Sequence, residues 1–141
     1  MGFFSKLKAA VGIGNPKIEF SLENGQVPRG NSFQGTIKLT GTSGEVPVTS
    51  FIVELVEEVT QTRWNGSTKK EETFVVDTTI AKIILPKNGQ IIKENEILSE
   101  SFEILVSPNA HITSFPVEHK LKVSADIPGL DSRAKQDVFI V

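Results

Sequence analysis

The sequence predicts an all-β protein: an antiparallel β-sandwich preceded by a short amphipathic helix. Apolar and polar residues alternate along most of the chain, which is the pattern of strands with one buried and one wet face. Turn-forming residues separate these runs roughly every 8–15 residues, as in sandwiches. Helical spacing is confined to residues 1–14. Because strands do not alternate with helices, a parallel α/β sheet is not expected.

Length and composition narrow the possible functions. A chain of 141 residues is the size of one domain. Its 15 basic residues are scattered among 17 acidic ones, so no basic stripe is available for nucleic acid. There is no cysteine, which excludes disulfides and thiolate metal sites. No apolar run approaches the roughly 20 residues that a membrane-spanning helix needs.

The first residues predict no export or acylation. Lys6 and Lys8 interrupt the apolar core that a signal peptide would need, so we expect a cytoplasmic protein. Gly2 could invite myristoylation, but Lys6 stands where that motif requires serine or threonine.

Residues 1–14 are predicted to form the amphipathic helix, ended by Gly12, Gly14 and Pro16. Its apolar stripe comprises Phe3, Phe4, Leu7, Ala10 and Val11. The stripe could dock onto the body of the protein, which we favour, or contact a membrane or a partner through its lysine-flanked face. Phe3, Phe4, Leu7 and Val11 are the candidate partner-binding residues.

The sandwich is predicted to occupy residues 15–141. Strands are expected at residues 17–22 and 33–40, with turns at 23–25 and 28–31 and a loop at 41–44. Residues 49–63 and 73–85 predict a long hairpin, since Asn65-Gly66 between two β-rich runs is a strong hairpin signal. The charge run 69–72 is expected to be a solvated loop.

The rest of the chain continues the strand pattern. A turn is predicted at residues 86–89, followed by a short strand around 91–92 and a longer one at 97–106. Residues 108–116 are expected to form an irregular crossing loop. Residues 117–127 alternate most clearly of all, and a turn is predicted from Pro128 through Lys135 before a last strand at 137–141. The total is about eight strands.

Several segments, in order along the chain, resemble the bacterial sporulation-control proteins that have an arrestin-like fold. They are Phe3-Phe4, Val11-Gly12-Ile13-Gly14, Pro28-Arg29-Gly30, Gly35-Thr36-Ile37, Ser101-Phe102-Glu103-Ile104, and the run from Ala125 to Val141. The resemblance implies an arrestin-like, immunoglobulin-like β-sandwich that regulates by contacting other proteins and has no chemistry of its own. A second sandwich normally follows this domain in the family. The chain here stops at Val141, so we expect either an excised first domain or a short relative.

Candidates for catalysis are few. The chain has two histidines, and His119 falls on the apolar phase of its strand, while His111 lies in the loop before it. A histidine that is buried or at the rim of the core and donates or accepts a hydrogen bond with a neighbour is the favoured interpretation. Glu118 points away from His119, because adjacent strand residues face opposite sides. No Gly-x-Ser-x-Gly elbow occurs, so we predict no enzyme, no catalytic or metal-ligating residue and no cofactor.

The acidic residues near the last turn leave one alternative open. Asp126, Asp131 and Asp137 could form a calcium cage, but Arg133 among them favours a surface ion pair. With one tryptophan and no tyrosine, sugar stacking is also disfavoured. The leading hypothesis is therefore a regulatory or adaptor domain that contacts protein partners, or a second copy, through sheet edges. A calcium- or carbohydrate-binding module is the alternative.

Overall fold

The computed structural model describes residues 15–141, and the helix predicted for residues 1–14 lies outside this range. The described residues form eight strands joined by turns and loops, without a helix. The strands are β1 (Lys17–Leu22), β2 (Gln26–Val27), β3 (Ser32–Thr40), β4 (Glu45–Asn65), β5 (Lys70–Lys93), β6 (Ile97–Leu105), β7 (Val117–Ile127) and β8 (Leu130–Ile140).

Two sheets form the sandwich. One has three strands in the order β1-β3-β6, and the other has five in the order β2-β8-β7-β4-β5. The pairings are antiparallel except that the two-residue strand β2 runs parallel to β8. The predicted all-β fold is confirmed, and β2 makes the larger sheet a mixed one.

The core lies between the inner faces of the two sheets and follows the predicted alternation. In β3, Phe33, Ile37 and Leu39 are completely buried and the residues between them are exposed. Gly35 occupies the same inward phase, where a Cβ atom would lie 2.4 Å from the carbonyl oxygen of Ser21. The same atom would lie 2.8 Å from the Phe102 ring. Glycine is therefore required for this ring to pack against β3.

The turn predicted at residues 86–89 is wrong. Ser50 pairs with Pro86 and Val48 pairs with Gln90, so residues 87–89 form a bulge within one continuous strand β5. Asn88 and Gly89 have positive φ angles of 56° and 78°, which absorb the extra residues. Strand β4 runs straight past this point and keeps both halves of β5 in register, which local turn signals do not reveal.

The extended turn predicted from Pro128 through Lys135 is also wrong. Strand β8 already begins at Leu130, and Asp131 pairs with Asp126 across a tight turn at Pro128-Gly129. The short inward residues Ser132 and Ala134 alternate with Asp131, Arg133 and Lys135. A polar strand of this kind forms because β7 lies alongside it and pairs with residues 130–138.

Candidate interaction surfaces

The β4–β5 hairpin extends beyond the end of the sandwich. Strand β4 pairs with β7 only as far as Val59, opposite Val117, and the amide of Thr60 then donates to the carbonyl of Pro116 at 3.0 Å. From residue 60 to residue 75 the two strands pair only with each other. We call residues 60–75 the arm. The predicted Asn65-Gly66 hairpin is confirmed, but residues 70–72 belong to strand β5 rather than to a loop.

The two faces of the arm differ. On one face the Arg63 guanidinium lies 5.1 Å from the centre of the Phe74 ring and 3.7 Å from Glu72, which also accepts a hydrogen bond from Asn65 at 2.9 Å. On the other face Trp64 is 63% exposed. Polar contacts occupy one face of the arm, whereas Trp64 on the other face is presented to solvent.

Strand β5 forms a long edge of the five-stranded sheet. One side pairs with β4, and the other side pairs with no strand of the described chain. Val75, Val76 and Ile84 on this strand are 55%, 40% and 56% exposed. Unpaired N–H and C=O groups beside exposed β-branched residues are a template for a further strand.

A polar cluster lies at the base of the arm. His119 on β7 is 1% exposed, and its Nδ1 lies 2.6 Å from the Thr113 hydroxyl in the crossing loop. Its Nε2 lies 3.4 Å from Glu57 Oε1 on β4, without hydrogen-bond geometry, so Nε2 has no hydrogen-bond partner in residues 15–141. The exposed His111 approaches the same carboxylate oxygen at 3.1 Å.

The hydrogen bonds assign the tautomer of His119. Thr113 Oγ1 accepts the amide proton of Ile140 at 2.8 Å, so its hydroxyl proton is free to be donated to His119 Nδ1. The ring proton is therefore on Nε2, facing Glu57. Burial lowers the pKa of His119, and the Glu57 carboxylate offsets part of this effect.

The cluster joins the crossing loop to the sheet. Thr113 also donates its amide to the Ile140 carbonyl at 2.8 Å, which ties the loop to the end of β8. Residues 15–141 contain no group of three acidic or histidine side chains arranged to hold a metal ion. The prediction of a buried, hydrogen-bonded His119 is confirmed. Glu57 was missed, although it shares the inward phase of Val53 and Leu55 in β4.

The acidic residues near the last turn lie on or beside the outer face of the larger sheet. Arg133 contacts Asp131 at 3.2 Å, and Asp137 lies 3.8 Å from Lys120 on β7. The predicted surface ion pair of Arg133 is therefore present. A groove of about 710 Å³ lies beside it, with the basic side chains of Lys122 and Lys135 in its lining.

The partner-binding residues predicted from the sequence, Phe3, Phe4, Leu7 and Val11, lie outside the described range. The first described residues, Asn15 and Pro16, are bonded to strand β8. The Ser132 hydroxyl on β8 lies 2.8 Å from Asn15 Oδ1 and also bonds the Pro16 carbonyl. These contacts hold Asn15 and Pro16 on the side of the sandwich where β1 and β8 meet.

Comparisons with known proteins agree with this fold. The fold and its surfaces define the class: a β-sandwich domain with one long exposed sheet edge and a projecting arm. Residues 4–137 match the Spo0M family, described as SpoOM protein, and the chain belongs to that family. The predicted resemblance to sporulation-control proteins is thereby confirmed. None of the curated proteins matches this chain.

Solved structures extend the comparison to the fold. The crystal structure of Spo0M, the sporulation control protein from Bacillus subtilis, superposes with a TM-score of 0.74 at 19% identity. The match covers 89% of this chain and 49% of that one, so this chain spans about half the length of its structural relative. AvmM, described as catalysing macrocyclisation in alchivemycin A biosynthesis, matches at 6% identity with a TM-score of 0.56, covering 90% and 89% of the two chains. At these identities the likeness concerns the fold alone.

Residues 15–141 include no helix that is long and apolar enough to cross a membrane.

Proposed function

We propose that this chain is a non-enzymatic, cytoplasmic regulatory domain that binds a protein partner by adding the partner's strand to the edge of β5. The observation that carries the proposal is the length and composition of this edge. Residues 73–85 present three apolar side chains that are 40% or more exposed, on a strand whose outer side is unpaired in the described chain. Backbone hydrogen bonds would supply affinity, and the alternating side chains would supply specificity.

The other sheet edges fit this role less well. Strand β2 has two residues and pairs only with Phe139 and Ile140, so residues 130–138 of β8 form the rest of that edge. This stretch is less than half as long as β5, and its exposed residues include Asp131, Arg133 and Lys135, whose charges disfavour a partner strand. Strands β1 and β6, the edges of the smaller sheet, have six and nine residues, compared with 24 in β5. Short edges are a usual protection against unwanted pairing. The long β5 edge is therefore the one that supports binding.

The arm adds a second element to the same surface. Trp64 shares a face of the arm with Thr62 and with Val75, because these residues alternate in phase along the paired strands. Tryptophan contributes a large contact area when a partner covers it. Trp64 stands on β4 opposite Glu71, one strand in from the β5 edge. We therefore propose that it contacts a part of the partner that reaches across this face of the arm.

The polar cluster supports a structural role rather than catalysis. The Thr113 hydroxyl makes both of its hydrogen bonds within the protein: it accepts one from the Ile140 amide and donates one to His119. The His119 ring is enclosed, and its proton faces a carboxylate of the same chain. We therefore assign these groups to holding the crossing loop in place.

Residues 1–14 are proposed to make an auxiliary contact through Phe3, Phe4, Leu7 and Val11. Their four apolar side chains recur at helical spacing in the sequence, and the described chain begins at Asn15 and Pro16, which Ser132 holds. We expect the double change Phe3→Ser with Leu7→Ser to weaken partner binding. A lowered melting temperature with unchanged binding would instead identify the stripe as part of the core.

Affinity capture from the producing organism tests the role of the edge. The bait variant carries Val75→Lys and Ile84→Lys, which place solvated charges along β5 without touching the buried core. The matched control is Leu105→Lys, at a 60% exposed apolar residue on β6. We expect the edge variant to recover at least about tenfold less of the partner captured by the natural chain, and the control to recover it fully. Equal recovery by both variants would refute the proposal.

A further inference from the structure

We propose that β5 pairs with β5 of a second copy of this chain, antiparallel, about a two-fold axis between Thr79 and Ile80. This inference rests on the proposed function, because it uses the same edge. It joins two five-stranded sheets into one continuous sheet. Two independent features of β5 support this pairing: the phase of the strand and the order of its side chains.

The phase of β5 changes at a bulge. Leu55 pairs with Ala81 and Val56 pairs with Thr79, so Ile80 is an extra residue opposite β4. Before the bulge the odd-numbered residues of β5 share the outer face of the sheet, and after it the even-numbered residues do. A two-fold axis perpendicular to a sheet keeps each side chain on its own face. Residues that pair across the axis must therefore share a face.

The axis at the bulge meets this condition. Pairing about Thr79 and Ile80 sets Asp77 opposite Lys82 of the second copy. Within one chain, Asp77 pairs with Glu58 of β4 and Lys82 pairs with Glu54. Glu54 and Glu58 are four residues apart in a regular strand, so their side chains share a face and their backbone N–H and C=O groups point to the same side. The same then holds for Asp77 and Lys82. In a strand without the bulge the same pairing would join opposite faces. The bulge makes the symmetric pairing possible.

The side chains are self-complementary in this register. The exposed Asp77 meets the exposed Lys82 of the second copy, and the symmetry repeats this contact. Neither residue forms an ion pair within the described chain. Val75 meets Ile84 of the second copy on the outer face, and both are more than half exposed in one chain. The pairs of the inner face are Val76 with Ile83 and Phe74 with Leu85.

Neighbouring registers lack this match. A shift by two residues in one direction places Asp77 opposite Ile84, and a shift in the other direction places Lys82 opposite Val75. Parallel pairing in register would place Asp77 against its own copy, and like charges directly opposite are destabilising. Charge therefore selects the register that also pairs the apolar residues.

The paired stretch has natural ends. Glu72 is already held by Arg63 and Asn65, and Lys87 is bonded to Glu100 on β6. These contacts leave residues 74–85 for the second copy. Self-association and partner binding would then exclude each other, because each covers the same edge.

Charge exchange tests the register. Sedimentation of the whole chain over a concentration series is expected to show a reversible dimer. Asp77→Lys alone and Lys82→Asp alone are each expected to raise the dissociation constant at least about tenfold. An equimolar mixture of the two single variants, and the double variant carrying both changes, are expected to dimerise again. Failure of both to recover would overturn the register.

A single introduced cysteine gives a second measurement, since the natural chain has none. Thr79→Cys lies next to the axis and is expected to cross-link two copies on mild oxidation. Thr73→Cys, also exposed on the same strand, lies more than six residues from the axis, so its two copies are far apart in the dimer and are expected not to cross-link. Cross-linking of both variants to the same extent would contradict the pairing.

The outcomes separate this inference from the proposed function. If the natural chain stays monomeric while the Val75→Lys and Ile84→Lys variant still loses its partner, self-pairing is wrong and the proposed function stands. If the dimer forms in this register but partner recovery is unchanged, the edge serves self-association and the proposed function is wrong. Charge reversal at Glu19 on the edge strand β1 is the control, and it is expected to change neither result.

Discussion

The two halves of strand β4 have the same backbone conformation in different surroundings. Residues 45–59 lie in the sandwich body with β5 on one side and, from Ser50 onward, β7 on the other, and Phe51, Val53 and Leu55 are completely buried. Residues 60–65 lie in the arm, paired to β5 alone, and are partly or fully exposed. Burial stabilises the body. The arm contributes less to stability, so its side chains are available for contacts with other molecules.

The largest difference is expected between two phenylalanines of the same hairpin. Phe51→Ala in the body should destabilise the fold by about 3–5 kcal/mol, because it opens a cavity in a fully buried site. Phe74→Ala in the arm should cost less than about 1 kcal/mol, since it mainly removes the contact with Arg63. Urea unfolding of both variants measures the difference. Similar losses would show that the arm is part of the cooperative core.

Two glycines, one in the body and one in the arm, should also differ in their effect on stability. Gly35→Ala should destabilise the fold by about 1–3 kcal/mol, because the new methyl group would overlap the Ser21 backbone and the Phe102 ring. Gly66→Ala at the tip of the arm meets no atom within 4 Å and should change stability by less than about 0.5 kcal/mol. Thermal unfolding of the pair is the measurement. A normal melting temperature for Gly35→Ala would mean that β3 and Phe102 separate easily.

The polar cluster at the junction of body and arm predicts a pH dependence. His119 has a lowered pKa in the folded state, so the unfolded state binds the proton more readily. Stability is therefore full above the unfolded value of about 6.5 and declines as the pH falls below it. The groups facing His119 are Glu57 on β4, His111 and Thr113 in the loop, and Val138 on β8.

Urea midpoints at pH 7.5 and pH 5.5 test this prediction. We expect the midpoint of the natural chain to drop at the lower pH, and His119→Gln to reduce that drop. The matched control is His111→Gln, whose side chain is 70% exposed in the natural chain and should leave most of the drop in place. An equal drop in the natural chain and in His119→Gln would assign the effect to other groups.

The smallest effect is expected at the turn of the arm. Lys69 has a φ of +56°, which is strained for a residue with a Cβ atom, and its amide donates to the Asn65 carbonyl at 2.8 Å. Lys69→Gly should raise stability by about 0.5 kcal/mol at most, because relief of strain is offset by the flexibility of glycine in the unfolded chain. Differential scanning calorimetry would detect it, and a clear decrease in melting temperature would contradict the assigned turn.

The body was predictable from residue order because burial imposes a period of two. The inward phases of β3, β6 and β7 follow directly from alternation, and the same alternation places His119 on the buried face. The same alternation predicts that Glu57 points inward, because it lies between Leu55 and Val59 on the inward face of β4. A glutamate at a buried position is uncommon, and only the histidines that approach its carboxylate explain it.

Residue order alone was enough to predict the all-β class, the main strands and the Asn65-Gly66 hairpin, because these depend on alternation and on local turn chemistry. The family followed from segments that resemble it in order along the chain. Tertiary structure decided three other features: that residues 87–89 bulge within one strand, that β8 begins at Leu130, and that β5 lies at an edge. Each of these depends on which strand lies alongside, and that neighbour is distant in the sequence. The phase change at Ile80, which makes the edge self-complementary, is visible only once β5 is paired with β4.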